Sequence, residues 1–138
     1  MFGGCEVKIA QILANKGPFL ATIKPDASVK HLVDDLRTHN IGALIVSDDG
    51  QHITGIVSER DIVRKLSEYA GEVSNLKVSD IMTTDVTTCT ADVSVEDLMT
   101  TMTEQHFRHI PVVQQDGCLL GVVSIGDLVK SRIAELGD

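Results

Sequence analysis

Gly55-Ile56-Val57-Ser58-Glu59-Arg60-Asp61 and Gly121-Val122-Val123-Ser124-Ile125-Gly126-Asp127 decide the fold, because they are one stretch written twice. Each sets Gly, Ser and Asp at the same spacing, where an apolar run gives way to a helical pattern. The register between them, 66 residues, holds in both directions: Thr22 falls on Thr88, Asp26 on Asp92, Ser28 on Ser94, Leu32 on Leu98, Val46 on Val112 and Val63 on Val129. Further upstream, Lys8-Ile9-Ala10-Gln11-Ile12 resembles Lys77-Val78-Ser79-Asp80-Ile81 at an offset of 69; the difference falls in the loop around Asn15-Lys16-Gly17-Pro18, where insertion costs little. A repeat at this period is a supersecondary unit that does not close a core alone.

Within each copy the same elements follow in the same order. Ser28 is placed to cap a helix whose apolar residues Val29, Leu32, Val33 and Leu36 fall at i, i+3, i+4 and i+7. Ser94 does the same for Val95, Leu98, Met99 and Met102, with Asp97 favourable at the helix start. A short apolar strand comes next, Ala43–Val46 matched by Ile110–Val113. The turns Asp48-Asp49-Gly50 and Gln115-Asp116-Gly117 then lead into second strands at Ile53–Val57 and Leu119–Val123. Pro111 donates nothing to a ladder, so its strand is expected at an edge or with that position open. Helices follow Ser58 and Ser124. The expected fold is α/β in a loose (α+β) sense: two pseudo-twofold repeats, residues 7–68 and 76–136, each a small sheet packed with helices. Ser67–Leu76, with Gly71, Ser74 and Asn75, reads as the linker.

Composition narrows the function classes. A formal net charge of -8 repels a polyphosphate backbone, which argues against general nucleic-acid binding. No apolar run approaches the ~18 residues of a membrane helix, and Met1–Lys16 lacks the apolar region of a signal peptide. Cys5, Cys89 and Cys118 are odd in number and far apart, which fits reduced thiols and a cytoplasmic protein better than a disulfide framework or a zinc site.

The doubled Ser-x-x-Asp has two readings. A helix N-terminus offers N–H groups and partial positive charge to an anion, the Ser hydroxyl adds a donor, and the Asp carboxylate can accept from the vicinal hydroxyls of a ribose. Equally, Ser caps the helix and Asp at N3 supports the cap, and duplication copies caps as readily as sites. Arg108 and His109 form a basic pair at a strand mouth, suited to phosphate oxygens or simply solvated. His106 and His109 lack a local Cys or carboxylate partner for a metal.

These stretches, with "IGALIVSDDGQHITGIVSERDIVRKL", "VSDIMTTDVTTCTADVSVEDLMTTMTEQHFRHIPVV" and "GCLLGVVSIGDLVKSRI", resemble the CBS domain, named after cystathionine β-synthase, in its tandem pair, the Bateman module. The resemblance spans about residues 7 to 136. It implies adenine-nucleotide contacts at Ser58 and Asp61 and at Ser124 and Asp127, with Asp on the ribose and Ser beside the phosphate. It implies phosphate partners at Arg108 and His109. It also implies an adenine pocket drawn from Thr22, Ile23, Ile41, Gly42, Ala43, Thr88, Cys89 and Phe107. The first copy has Gly42-Ala43 where the second has Arg108-His109, so the two sites are expected to be unequal; Arg60 is either the substitute or a plain surface charge.

The function implied is regulatory. AMP first, with ATP, ADP or NAD as alternatives, binds in a cleft between the copies. The ligand signals to a separate effector protein through a homodimer. A small nucleotide-acting enzyme is disfavoured because there is no Walker loop, no GxGxxG after a strand, and no base beside Ser58. A scaffold without ligand is the third reading, opposed by the intact Ser-Asp pairs.

Overall fold

The computed structural model describes residues 7–16, 21–69 and 75–137. Cys5, Gly17, Pro18, Gly71 and Ser74 lie outside them. Among the described residues the chain forms α1 (Ile9–Lys16), β1 (Thr22–Ile23), α2 (Val29–His39), β2 (Ala43–Val46), β3 (Gly55–Ser58), α3 (Glu59–Tyr69), α4 (Val78–Ile81), α5 (Val95–Gln105), β4 (His109–Val113), β5 (Leu119–Ser124) and α6 (Ile125–Gly137). It is a mixed α/β fold with two small sheets, and no described helix is long and apolar enough to cross a membrane.

The chain divides into two compact units, one of residues 21–86 and one of residues 1–20 with 87–138. These are not the sequence repeats, because each repeat's leading segment packs in the other unit. Ahead of the first copy, the α1 segment joins the second: Ile9 N donates to Val93 O and Val95 N to Val7 O, both at 2.9 Å. The segment ahead of the second copy joins the first: Val29 N donates to Leu76 O and Val78 N to Ala27 O, both at 2.8 Å. Leu76, expected in the linker, is therefore half-buried against a core, and α3 carries on through Ser67 and Glu68 to Tyr69.

In unit 21–86 a three-stranded sheet runs β1-β2-β3, with β1 parallel and β3 antiparallel to β2. One face carries the core: Leu44, Val46 and Val57 meet Val29, Leu32 and Leu36 of α2 and Val78 and Ile81 of α4. The other unit repeats this with Ile110, Val112 and Val123 against Val95, Leu98 and Met102 of α5 and Ile9 and Ile12 of α1. Ser28 Oγ accepts from His31 N at 3.0 Å and Ser94 Oγ from Asp97 N at 3.1 Å, so both helices start at the caps the sequence marks.

The sheets differ in their first strand. Ile23 N–H and C=O belong to a two-residue parallel strand on β2, whereas the second unit keeps only a bridge between Cys89 and Val112. Pro111 stands where the first copy has Ile45. Its carbonyl accepts from Cys89 N at 3.0 Å, so its ring nitrogen faces the same side and supplies no further bond there. The open position is thus on the Cys89 side; β4–β5 pairing passes through Pro111 opposite Val122 and shifts register between Val112 and Val113.

The glycines of the doubled motif are fixed by packing. A Cβ on Gly55 would stand 2.7 Å from Thr83 O and 3.0 Å from Met82 Sδ, and one on Gly121 would stand 2.9 Å from Leu13 Cδ2. These neighbours belong to the leading segments of the repeats, Thr83 and Met82 to the second and Leu13 to the first. In the hairpin turns, Gly50 and Gly117 have φ of 77° and 90°, the left-handed region.

Candidate functional site

Each Ser-Asp pair sits where an antiparallel strand becomes a helix. In unit 21–86, Ser58 ends β3 opposite Ala43, and Glu59 N donates to Gly42 O at 3.0 Å, carrying the ladder one residue into α3. In the other unit Ser124 ends β5 opposite His109, and Ile125 N donates to Arg108 O at 2.9 Å. Folding therefore brings Gly42, Ala43, Ser58 and Asp61 together in one place, and Arg108, His109, Ser124 and Asp127 together in the other.

Helix capping is realised in both. Ser58 N donates to Asp61 Oδ2 at 2.8 Å, and Ser124 N to Asp127 Oδ2 at 2.9 Å. The hydroxyls differ. Ser58 Oγ donates to Asp61 Oδ2 at 3.1 Å, whereas Ser124 Oγ accepts from Asp127 N at 3.1 Å, which closes a reciprocal capping box. A carboxylate offers about four lone-pair positions, so the cap does not exhaust the group. Asp61 also has Arg64, one turn along α3, with Nη1 3.9 Å from Oδ1. Arg64 was not singled out from the sequence; its i+3 spacing from Asp61 was the available signal. Arg60 is exposed beside it on α3.

The positions around each pair have matched roles. Asn40 and His106 cap α2 and α5 in the left-handed conformation, φ 53° and 61°, and turn the chain into Ile41-Gly42 and Phe107-Arg108. His106, considered for a metal, serves as that cap, and among the described residues no group of three His, Cys, Asp or Glu could hold a metal ion. Ile41 and Phe107 are half-buried against their cores. Ile23 is buried, and its carbonyl accepts from Ser47 N; Cys89 takes the same ladder place, accepting from Val113 N. Thr22 is half-buried on β1 and Thr88 is exposed just before the Cys89 bridge. Burial, with the charge of Asp92 second, pushes the Cys89 thiol up to about 11, so it is a neutral, weakly polar group at neutral pH.

A cavity of about 600 Å³ opens on the helical side of unit 21–86, between α2 and α3. Leu36, Ile41, Ile62 and Val63 line it, with Arg37 and Glu59 at its edge.

Comparison with known proteins agrees with the repeat. The family described as CBS domain matches residues 11–68 and 78–134. The CBS-domain containing protein ATU1752 from Agrobacterium tumefaciens superposes with a TM-score of 0.87 at 36% identity, over 91% of this chain and 99% of that one. The mitochondrial CBS domain-containing protein CBSX3 of Arabidopsis thaliana is 39% identical over 80% of this chain and 55% of its own length. CBSX2, solved in complex with AMP, shares the fold with a TM-score of 0.78 at 23% identity, over 93% of this chain and 97% of that one.

Proposed function

Since the chain belongs to the CBS-domain family, as a tandem pair of CBS domains, we propose that it is a regulatory module that binds an adenine nucleotide, AMP foremost, with ATP, ADP and NAD as its competitors. One observation carries the reading: the same Ser-Asp pair stands twice at a strand-to-helix junction, half-buried and held in place by the backbone. Capping and binding are compatible roles for it. The cap orients the carboxylate, and its remaining lone pairs are suited to the vicinal hydroxyls of a ribose. The helix N-terminus and the serine hydroxyl suit the phosphate. That a protein of the same fold holds AMP supports the ligand class.

The module works without turnover of its ligand and acts on a separate effector. A ligand shifts its conformational or oligomeric balance only by its differential affinity for the two states. The working unit is a homodimer. Apolar side chains left outside support this: Val63 and Ile133 are each 63% exposed and Leu66 is 48% exposed. This surface lies mainly on α3 and α6; α2 adds Val33, 42% exposed, while Val29, Leu32 and Leu36 and the stripe of α5 face the cores.

Thermal melts test the ligand. A ligand bound only by the folded chain at one hundred times Kd stabilises it by about 2.7 kcal/mol. AMP, ATP and NAD are expected to raise the melting temperature more than GMP. No shift with any of the three at millimolar concentration rejects the reading, and unchanged nucleotide after long incubation with the protein is expected throughout.

A further inference from the structure

The Ser58–Asp61 cluster has no cation at its strand mouth, where Gly42-Ala43 stand in the places of Arg108-His109. A cation reaches it from the helix instead. Arg64 Nη1 lies 3.9 Å from Asp61 Oδ1. The two oxygens of this carboxylate are divided. Oδ2 accepts from Ser58 N at 2.8 Å and from Ser58 Oγ at 3.1 Å, which fixes the group, and Oδ1 is turned to the arginine. The Asp61 side chain is 13% exposed and that of Arg64 67% exposed, so the acid is held while the guanidinium has solvent to move through. Long side chains on a helix lean towards its N-terminus, so Arg64 reaches back over the turn that carries Asp61. The N–H groups of that same turn are the ones open to an anion. Arg60 adjoins Asp61 in sequence, and successive helical residues do not face each other.

We propose that Arg64 sets the ligand specificity of this site by changing partners: it holds Asp61 Oδ1 until a ribose takes that oxygen, and then pairs with the phosphate of the same nucleotide. The proposal rests on the adenine-nucleotide reading above and supplies the cation that Gly42-Ala43 do not. An exposed ion pair at this distance is weak, so releasing Asp61 costs little. A phosphate takes up the guanidinium in a charge-assisted and bidentate contact. A nucleoside without phosphate displaces the arginine and returns nothing for it. The site of unit 21–86 therefore selects phosphorylated nucleosides through a helix residue, where the other unit has Arg108 and His109 on its strand. Lys130 holds the twin position on α6, with the charge but not the planar fork.

Titration calorimetry of AMP and of adenosine tests this, with Asp127→Ala as the background so that the site of unit 21–86 is read by itself. Arg64→Ala and Arg64→Lys are added to that background, and far-UV circular dichroism checks that each variant folds. Arg64→Ala is expected to weaken AMP about tenfold or more. Adenosine is expected to bind as before or up to about fivefold tighter, because the ion pair it had to displace is gone. Arg64→Lys is expected to fall between, since it keeps the charge and loses the fork. Equal losses for AMP and adenosine would make Arg64 a prop for Asp61 and overturn the proposal. Unchanged AMP affinity in Arg64→Ala overturns it as well. If the wild type binds AMP and the Asp127→Ala background does not, unit 21–86 holds no nucleotide and the proposal falls while the reading stands for the other unit. A wild type that binds neither ligand rejects both.

Discussion

Asp127→Asn and Asp127→Ala separate the two roles assigned to one carboxylate. In the structure Asp127 Oδ2 accepts from Ser124 N at 2.9 Å while its own N–H donates to Ser124 Oγ. Asparagine keeps a carbonyl oxygen for the first bond and the backbone N–H for the second, so the capping box survives. What is lost is the negative charge at the start of α6, about 0.3–1 kcal/mol. Alanine removes the side-chain acceptor as well, and a lost cap bond costs about 1 kcal/mol more. At about 3–4 °C per kcal/mol for a domain near this size, the asparagine variant should melt within ~1–4 °C of wild type and the alanine variant several degrees lower. Binding should not follow that order. Hydrogen bonds from ribose hydroxyls to an ionised carboxylate contribute about 1.5–3 kcal/mol, and an amide offers one neutral acceptor in its place. Both variants are therefore expected to weaken AMP and adenosine alike at this site, by about tenfold to a hundredfold. Differential scanning calorimetry supplies the first pair of numbers and titration calorimetry the second. Full affinity in Asp127→Asn would refute the ribose assignment and leave the aspartate as a cap alone.

Arg108→Ala should lower AMP affinity about tenfold to a hundredfold and leave adenosine nearly unchanged, since a charge-assisted bond to phosphate is worth about 1.5–3 kcal/mol; equal loss for both in titration calorimetry would make the arginine structural. Gly55→Ala should destabilise by about 1–3 kcal/mol in urea unfolding, because its Cβ meets the fixed Thr83 carbonyl, and Gly121→Ala by less, because the Leu13 methyl it meets can turn away. A larger effect at Gly121 would contradict the packing account. The raised pKa of Cys89 sets an alkaline prediction: the folded state holds the thiol proton more tightly than the unfolded one, so this contribution is complete below about 9 and declines as pH rises towards about 11. Cys89→Ala should flatten that decline in pH-dependent unfolding; an identical decline in the variant would assign it to other groups.

The elements were legible because the sequence states them twice. Ser28 and Ser94 mark helix starts, Gly50 and Gly117 mark hairpins, and agreement between copies at a 66-residue offset removes the ambiguity of either alone. The Ser-Asp clusters were legible for the same reason, since strand pairing puts Ala43 beside Ser58 and His109 beside Ser124 once the hairpins are known. The exchange of leading segments was not legible. Lys8–Ile12 and Lys77–Ile81 repeat each other, but a repeat does not say which copy each segment packs against; that depends on Leu13 reaching Gly121 and Thr83 bonding Ile56 across the chain. The exposure of Val63 and Leu66 was not legible either, because apolar spacing alone does not say that α3 buries little of itself and leaves them outside.

The exchange of segments also orders events during synthesis. Everything that unit 21–86 needs has been made once Val86 is joined, so it can close its core while the rest of the chain is still unmade. α1, made earlier, has no place to go until β5 and α6 exist, because its partners are Val93, Gly121 and the α6 surface. At about 5–20 residues per second, the first helix waits several seconds with Ile9 and Ile12 uncovered. A nascent chain stalled just beyond Val86 would thus carry one finished unit and one sticky helix, the form in which this protein is most exposed to capture or aggregation.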